Sequence, residues 1–453
     1  MATQNNPLAR PIRVLLFVTS YHSTNGYSYV GYELAKTLSK RKDIHLTIYG
    51  FQRFHGLPGH RTDYPSNVYE YDAFANENPK QQGFGFGQVK DFVTVNKPDV
   101  CVVYNDMLVL QGIITQLLQV PDRQFKIISY IDQVYLCQKK EHIEFINQTS
   151  DTAMMFTPYW EDNALKLGIR LPSCYLRHGF SKRAHYRIPK QMARKYYNLS
   201  MDDFIVMNLN RNQPRKRWDT CMQAMANVVS KRPRSNIKLL ISTALVGAWN
   251  LIDIYERELK KYGIDLAKGL QHIIIIDNPQ NQTDDDVNIM YNVADIGINT
   301  CDGEGFGLCN FQQAAIGIPQ VVSHVGGFRD FFDETNAIVV KPKLSYYVDA
   351  SRDGIGGEAE MCDYRDFADG IIRYYDDPSL CAAHGKAARK KITEEYGWDS
   401  IGDHLCNIVY ETLWPSADNK VIRANPAHVS QTPYPNPAKQ QIATSNVVEM
   451  INI

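Results

Sequence analysis

Short β-rich runs alternate with helix-like stretches along most of this 453-residue chain, and no other feature restricts its fold as strongly. In the first half, the strand-like runs cover residues 13–19, 45–49, 99–104, 126–130 and 154–157. Helical patterns such as residues 30–38 and 107–118 lie between them. Apolar strands that alternate with helices are typical of buried parallel sheets, so this half predicts an α/β domain.

A second alternating series follows a connector rich in Lys and Arg at residues 181–199. Its strand-like runs cover residues 204–209, 237–241, 272–276, 295–299, 320–323 and 337–340. We therefore predict one Rossmann-like domain over residues 1–185 and another over residues 186–397. Ligands bind beyond the carboxyl ends of the strands in such sheets, which places the expected site in a cleft between two facing domains.

The last helical pattern begins at Trp398 and carries one apolar stripe, formed by Ile401, Leu405, Ile408, Val409 and Leu413. An apolar face of this size must pack against another element. We predict a crossing helix over residues 398–415 that docks back on the first domain. Residues 416–453 are rich in Pro, Asn, Ser and Gln without periodicity, which is typical of an extended or disordered tail.

The segment most suggestive of function is Glu304-Gly305-Phe306-Gly307-Leu308, which leads into a short apolar helical pattern that ends at Gly317. Glycines allow the backbone to turn sharply, so that successive N–H groups approach an anion. The first turn of the following helix offers further unpaired amides, and a carboxylate can accept hydrogen bonds from sugar hydroxyls. An ordinary loop-to-helix junction would have a similar pattern.

A second candidate segment, residues 210–219, follows the first strand of the second domain and contains Arg211 and Lys216. Cations at the carboxyl edge of a strand can converge on a diphosphate group and stabilise its negative charge. The alternative is a solvated basic surface at the start of a helix. A βαβ domain that holds both these cations and the glycine loop favours phosphate binding.

Taken together, these residues resemble a retaining glycosyltransferase of family 4, with the GT-B fold, over roughly residues 12–414. The resemblance implies that residues 1–185 form the acceptor-side domain and residues 186–397 the donor-binding domain. It assigns catalytic roles to Glu304, Arg211 and Lys216. The residues that it assigns to the donor site are Gly26, Arg211, Lys216, Glu304, Gly305, Phe306, Gly307, Leu308 and Gln312.

Two positions depart from the family pattern. Gln312 stands where the family normally has a second Glu for the nucleotide ribose, and its amide accepts a hydrogen bond but brings an NH₂ group and no charge. Ile131 precedes Asp132 where many relatives have a His, which leaves Asp132 as a weak substitute that could equally cap a loop.

The resemblance implies a metal-independent hexosyltransferase that needs no cofactor and uses a nucleoside-diphosphate sugar as its donor. The acceptor would be a hydroxyl of a glycan, a lipid or a protein. Two alternatives stay open: a nucleotide-sugar-binding protein without transfer activity, and a GT-B sugar epimerase or phosphorylase. The triplet Asp284-Asp285-Asp286 suits the first turn of a helix better than a metal site.

Charge and cysteine usage restrict the partners and the location. Lys plus Arg and Asp plus Glu each number 49, so no overall charge draws the chain to nucleic acid. The nine cysteines form no Cys-x-x-Cys pair, which favours reduced thiols in the cytoplasm. The apolar runs near the start are shorter than a signal or membrane segment, while peripheral membrane contact stays possible.

Overall fold

The computed structural model describes residues 8–53, 61–75, 77, 83–276, 282–352, 354–415 and 422, and the chain divides into two compact units. Unit 1 comprises Met1–His178, Asp349–Gly357 and Trp398–Ile453, and unit 2 comprises Gly179–Val348 and Glu358–Gly397. The division lies between His178 and Gly179 in the structure and between residues 185 and 186 in the sequence-based prediction. Most of the predicted tail, residues 416–453, lies outside the described residues.

Unit 1 alternates strands and helices in the order predicted. Its strands are β1 (Ile12–Thr19), β2 (Ile44–Phe51), β3 (Tyr69–Asp72), β4 (Val100–Asp106), β5 (Lys126–Asp132), β6 (Thr152–Met155) and β7 (Ser173–Tyr175). Its first helices are α1 (Gly26–Leu38), α2 (Val89–Asn96), α3 (Met107–Leu117), α4 (Lys140–Thr149) and α5 (Pro158–Lys166).

The unit 1 strands form one parallel sheet in the order β3-β2-β1-β4-β5-β6-β7. The apolar runs of β1, β4 and β5 are buried on both faces, which is the burial that an uninterrupted apolar strand predicts. The edge strand β3 was not predicted, because its sequence Tyr-Glu-Tyr-Asp is polar and no residue of the strand is fully buried.

Unit 2 repeats the alternation. Its strands are β8 (Phe204–Asn208), β9 (Ile237–Ile241), β10 (Ile273–Ile275), β11 (Ile296–Asn299), β12 (Gln320–Ser323), β13 (Ile338–Val340), β14 (Leu344–Val348) and β15 (Gly357–Met361). Its helices are α6 (Lys190–Tyr196), α7 (Trp218–Lys231), α8 (Leu251–Lys261), α9 (Leu266–Gly269), α10 (Asp284–Val293), α11 (Leu308–Ala315), α12 (Phe328–Phe331), α13 (Tyr364–Asp376) and α14 (Pro378–Glu395).

The main sheet of unit 2 is also parallel, in the order β10-β9-β8-β11-β12-β13, and β14 pairs with β15 in a separate small sheet. Every strand predicted in this half is confirmed, whereas the β14–β15 pair was not predicted. Its residues are mostly exposed or half-buried, so they lack the apolar run that identifies a core strand.

The helix predicted after Trp398 is α15 (Trp398–Leu413), and it packs on α1 within unit 1 as expected. A Cβ at Gly402 would lie 2.1 Å from Cγ2 of Thr37, so the two helices approach closely because this position lacks a side chain. The Tyr410 hydroxyl donates a hydrogen bond of 2.5 Å to Asp43. The apolar stripe therefore covers part of the unit 1 core.

Among the residues that the structure describes, no helix combines the length and the apolar character that crossing a bilayer would require.

His178, at the end of the first segment of unit 1, is buried among aromatic rings. Its ring centroid lies 4.4 Å from that of Phe156 and 5.9 Å from those of both Tyr104 and Tyr130. Burial lowers the pKa of His178 from 6.5 to about 3, because a charged imidazolium is poorly solvated there. The folded unit therefore holds this imidazole neutral.

We predict that His178→Phe reduces the loss of stability in acid. Below pH 6.5 the unfolded chain gains a proton at His178 that the folded chain refuses until about pH 3, so His178 lowers stability by at most about 1.4 kcal/mol per pH unit across that window. Urea unfolding at several pH values measures this slope. The control His45→Phe makes the same substitution at an exposed position of β2, where the imidazole is not buried. An unaltered slope in His178→Phe would show that this histidine is not held neutral.

Candidate functional site

In each main sheet the strand order reverses at one point, and loops that leave the carboxyl ends of the two strands there border a crevice. In unit 2 the reversal lies between β8 and β11. The loop after β8 spans residues 209–217, and the loop after β11 spans residues 300–307. These are the two segments that the sequence pattern selected as phosphate-binding candidates, so the topology brings them to one edge of one sheet.

The loop after β8 ends in a single 3-10 turn, Pro214–Lys216, before α7 begins. Arg217 has φ +47°, a left-handed conformation that separates the 3-10 turn from the helix. The indole N–H of the fully buried Trp218 donates to the carbonyl of Asn210 at 3.2 Å and so ties the two ends of the loop together. This bond gives Lys216 a defined position.

The loop after β11 depends on glycine at two places of close backbone approach. Gly307 has φ +93°, and a Cβ there would lie 2.1 Å from Cε1 of Phe328. A Cβ at Gly327 would lie 2.2 Å from the carbonyl oxygen of Gly305, and the Gly327 N–H donates to the carbonyl of Glu304 at 2.9 Å. The Gly326-Gly327 turn thus packs directly against the backbone of the loop after β11. Glycine is needed at positions 307 and 327 because a side chain there would collide with neighbouring atoms.

Phe306 anchors this loop, while the amides that follow it begin α11. The Phe306 ring is buried, with its centroid 5.0 Å from that of Phe311 and 5.2 Å from that of Phe331. Leu308 is the first residue of α11, and Gly317 lies beyond its end with φ +91°, as its sequence position predicted. The first turn of α11 therefore presents N–H groups and a partial positive charge at the edge of the sheet.

Glu304 is buried at this edge and contacts two cations from the other loop. Its carboxylate accepts a short hydrogen bond from Nζ of Lys216, and Nη1 of Arg215 lies 3.3 Å from Oε1. Burial alone would raise the pKa of the Glu304 carboxyl, but the charges and hydrogen bonds of Lys216 and Arg215 outweigh it and hold that pKa below its usual value. Glu304 is thus an ionised group inside a cationic pocket.

Further hydrogen bonds join the two loops. The Thr300 hydroxyl donates to the carbonyl of Arg217 at 2.9 Å, and the Asp302 N–H donates to the carbonyl of Arg215 at 3.1 Å. The Asp302 carboxylate also lies 3.5 Å from Arg217 and accepts a short hydrogen bond from the Tyr346 hydroxyl. The position of the cations relative to the glycine loop is therefore set by the backbone as well as by charge.

Cys309 lies in the first turn of α11, and Arg211 lies in the loop after β8. Burial raises the pKa of the Cys309 thiol, and the charges of Lys216 and Arg211 oppose this rise, whereas the charge of Glu304 adds to it. The electrostatic influence of both predicted cations therefore reaches the Cys309 thiol. Arg211 itself is exposed, whereas Lys216 is buried.

Gln312, the position that departs from the family pattern, lies one turn further along α11. It is buried, and its Oε1 accepts a hydrogen bond of 3.1 Å from the hydroxyl of Tyr291, which is buried as well. An amide oxygen has two lone pairs, so Oε1 of Gln312 can accept a second hydrogen bond, and the NH₂ group can serve as a donor. The sequence offered no signal for Tyr291, because it comes from α10.

Gly26 belongs to unit 1, where it is the first residue of α1, while the other predicted site residues lie in unit 2. Asn25 caps this helix by accepting a hydrogen bond of 2.9 Å from the Ser28 N–H. Oγ of Ser28 lies 2.7 Å from the carbonyl oxygens of both Ser20 and Ser23, which share its single hydroxyl proton. The loop between β1 and α1 is thus held in a defined conformation at the point where the unit 1 sheet reverses its strand order.

Ile131 and Asp132 end strand β5 in unit 1. Ile131 is buried, whereas Asp132 is half-buried and accepts a hydrogen bond of 2.5 Å from the hydroxyl of Tyr27. Tyr27 follows Gly26 in the first turn of α1. A carboxylate and a phenol therefore meet at the carboxyl edge of the sheet.

Sequence reasoning missed Arg215 as a member of the cation cluster. Its adjacency to Lys216 was the available signal, but neighbours in a 3-10 turn need not point the same way. Across the described ranges, no group of three or more His, Cys, Asp and Glu side chains is arranged to hold a metal ion. Metal independence stays a prediction.

Comparison with known families bears directly on unit 2. Residues 189–391 match the family model described as glycosyl transferases group 1. This part of the chain is similar to that family. Both candidate loops, the cation cluster and the whole of α11 lie inside the matched range.

Two relatives resemble the chain over about half its length. A D-inositol 3-phosphate glycosyltransferase of Thermobispora bispora is 25% identical over 228 residues, which cover 50% of this chain and 47% of the relative. A GDP-mannose-dependent monoacylated alpha-(1-6)-phosphatidylinositol monomannoside mannosyltransferase of Corynebacterium glutamicum is 24% identical over 227 residues, which cover 49% and 50%. The chain thus spans about half the length of these relatives.

Solved structures share the fold over most of the chain. Sucrose-phosphate synthase of Thermosynechococcus elongatus has a TM-score of 0.67 at 15% identity and covers 89% of this chain and 100% of its own. The Anabaena protein HepE, solved in complex with UDP-glucose, has a TM-score of 0.64 at 13% identity and covers 88% and 100%. The predicted fold class, GT-B with two Rossmann-like parallel sheets, is confirmed.

We predict that Glu304→Gln strengthens the binding of inorganic pyrophosphate to this site. The Glu304 carboxylate pairs with Lys216 and Arg215 and therefore competes with an external anion for them. Because the substitution removes this negative charge, we expect the affinity for pyrophosphate to rise roughly three- to tenfold. Isothermal titration calorimetry measures the change.

The matched control for this prediction is Asp219→Asn, which removes an equal charge from a carboxylate that pairs with Arg217 at 2.6 Å. We expect a smaller rise for this variant. Unchanged or weaker pyrophosphate binding by Glu304→Gln would contradict the view that Lys216 and Arg215 form the anion site.

Proposed function

We propose that the protein is a glycosyltransferase that moves a sugar from a nucleoside-diphosphate sugar to an acceptor hydroxyl. One observation carries the proposal: Lys216 and Arg215 meet Glu304 beside the glycine loop that opens α11. A diphosphate needs cations and N–H donors, and a sugar needs a hydrogen-bond acceptor nearby. This edge of unit 2 supplies both within the range that matches the glycosyl transferases group 1 family.

In the proposed reaction the donor diphosphate replaces Glu304 as the partner of Lys216. Arg211, Arg215 and Lys216 would then neutralise the charge that develops on the departing diphosphate, together with the amides of Gly305, Phe306, Gly307 and Leu308. Electrostatic stabilisation of this kind needs groups that are already in place before the reaction. The hydrogen bonds that join the two loops favour such pre-organisation. The Glu304 carboxylate, once released, would accept hydrogen bonds from hydroxyls of the donor hexose.

Gln312 is the proposed ribose contact. Its Oε1 accepts one hydrogen bond from Tyr291 and keeps a second lone pair, and its NH₂ would donate to a ribose hydroxyl, whereas a Glu could only accept. Ribose recognition is therefore proposed to persist, with the NH₂ group of Gln312 as an added donor.

The acceptor side of the proposal lies in unit 1. Gly26 is exposed at the start of α1, and the oxygens of the neighbouring Tyr27–Asp132 pair offer acceptors for sugar hydroxyls. Asp132 is the proposed substitute for the histidine that the family resemblance led us to expect. The acceptor itself is proposed only as a glycan, lipid or protein hydroxyl, since the relatives named above act on different acceptors.

Three finer features belong to the proposal. The transfer would retain the anomeric configuration, proceed without a metal ion and occur in the cytoplasm. The retaining assignment follows from the resemblance to family 4, and the absence of a metal requirement follows from a site in which cations and amides carry the charge of the leaving group. Product analysis by NMR and assays with added chelator test the first two.

The donor nucleotide is open to a direct experiment. A panel of UDP-, GDP- and ADP-sugars should raise the melting temperature of the protein selectively, because a ligand that binds the folded state stabilises it. The relative from Corynebacterium glutamicum is described as GDP-mannose-dependent, while HepE was solved with UDP-glucose, so both nucleotides belong in the panel. Stabilisation without sugar transfer to any acceptor or to water would favour a binding protein instead.

We predict that Arg211→Ala lowers kcat/KM for transfer by roughly 100- to 1,000-fold, the usual effect of removing one group that stabilises transition-state charge. The free energy of unfolding should change by less than about 0.5 kcal/mol, because Arg211 is exposed. Initial rates with the donor selected by the panel, and urea unfolding, measure the two effects.

The matched control is Arg232→Ala, at the C-terminal end of α7, where the guanidinium pairs with Asp376 at the surface. It removes the same charged group from the same domain and should keep full activity. Full activity in Arg211→Ala would exclude Arg211 from the proposed mechanism.

A further inference from the structure

A chain of buried side-chain amides lies beneath the glycine loop of unit 2. Asn310 is in the first turn of α11, Gln313 in its second, Asn299 ends β11 and Gln320 begins β12. Each of these side chains is at most 4% exposed. Helix and strand residues that face a sheet core are normally apolar, so this polar cluster needs an explanation.

Hydrogen bonds join these side-chain amides head to tail, so that each one donates to the next. Asn299 Nδ2 donates to Asn310 Oδ1 at 2.9 Å, and Asn310 Nδ2 donates to Gln320 Oε1 at 2.8 Å. Gln320 Nε2 then donates to Gln313 Oε1 at 3.1 Å, and Gln313 Nε2 donates to the sulfur of Met207 at 3.2 Å. Bonds arranged head to tail polarise one another, so such a chain is stiffer than its separate pairs.

Asn299, the first member of this series of amides, also contacts the loop that bears Glu304. The Cys301 N–H donates to Asn299 Oδ1 at 3.0 Å, and the Ser323 hydroxyl donates to the carbonyl of Asn299 at 3.3 Å. Asn299 therefore holds the first residues of the loop with one side-chain atom and the first turn of α11 with the other. The two parts of the site that must face the same anion are connected through a single side chain.

Gly297 provides independent support that this space is reserved for the amides. A Cβ at that position would lie 2.0 Å from Oε1 of Gln313 and 2.2 Å from Oε1 of Gln320. Any side chain on β11 at this point would displace both amides. The strand therefore has glycine where an apolar residue would otherwise fill the core.

We propose that Asn299, Asn310, Gln313 and Gln320 are positioning residues that set the place of the first turn of α11 relative to Glu304. A purely apolar contact would let α11 slide or rotate slightly on the sheet, because dispersion contacts have no direction. Hydrogen bonds to both β11 and β12 remove this freedom. Binding of a diphosphate then needs no rearrangement of the amides. The transfer readout below rests on the proposed function, whereas the pyrophosphate readout does not.

The test uses two variants in the full chain. Asn310→Leu removes the central amide and leaves Asn299 Nδ2 and Gln320 Oε1 without their bonds. Gly297→Ala keeps every amide but displaces Gln313 and Gln320 by steric contact. We expect both to weaken pyrophosphate binding by about fivefold or more, since small displacements of binding groups have large effects, and to raise the donor KM in parallel.

Loss of stability alone is controlled in two ways. Leu259→Ala, buried in α8, lowers the melting temperature without touching the amide chain, and should leave pyrophosphate affinity unchanged at temperatures where it is folded. The triple variant Asn310→Leu/Gln313→Ala/Gln320→Val removes donors and acceptors together, which restores part of the stability. We expect its pyrophosphate affinity to stay low.

The outcomes separate the hypotheses. If the triple variant and Gly297→Ala bind pyrophosphate like the wild type, the amides only pack the core and the positioning role is wrong. If pyrophosphate binding is weakened while no donor sugar is transferred by the wild type, the positioning role stands and the proposed function fails.

Discussion

A buried carboxylate must be neutralised, and the way Glu304 meets this requirement determines the arrangement of the whole site. Its two partners, Lys216 and Arg215, come from the loop after β8, while Glu304 comes from the loop after β11. Leaving either side unpaired would expose a charge to a poorly solvating interior. The ion pairs therefore require the two loops to close on each other at the point where the strand order reverses. The glycines at positions 307 and 327 allow a second close approach, between the loop after β11 and the segment that follows β12.

The part of this arrangement that the sequence predicted is the part that rests on local patterns. Apolar runs identify β8 and β11, since central strands of a parallel sheet are buried on both faces. Residues that follow such strands reach the carboxyl edge of the sheet, so Lys216 and Glu304 could be placed there from their positions alone. The left-handed conformation of Gly317 was likewise predictable, because a helix end favours it.

What the sequence did not predict depends on which side chains meet in space. Arg215 was passed over because only the tertiary structure shows that it contacts Glu304. The bond between Tyr291 and Gln312 joins two helices, and no local pattern encodes it. The edge strand β3 and the pair β14–β15 lack apolar runs, since little of their surface is buried. The assignment of Asp349–Gly357 to unit 1 is of the same kind, because a short polar segment carries no sign of the unit on which it packs.

The buried amides show why a helix pattern can be correct for secondary structure and incomplete for function. The apolar positions Phe311, Ala314 and Ala315 suffice to predict α11, and Asn310 and Gln313 then look like its solvent-facing residues. In the structure these two are as buried as the apolar ones. An apolar core tolerates substitutions that keep its shape and volume. A core held by directional hydrogen bonds tolerates fewer substitutions. This loss of tolerance is acceptable where the gain is a fixed backbone. The first turn of α11 is the place in unit 2 where we propose that N–H groups stay aligned for an anion. At Asn310 a polar residue occupies a buried position. This is expected where a site, and not core packing, determines the residue.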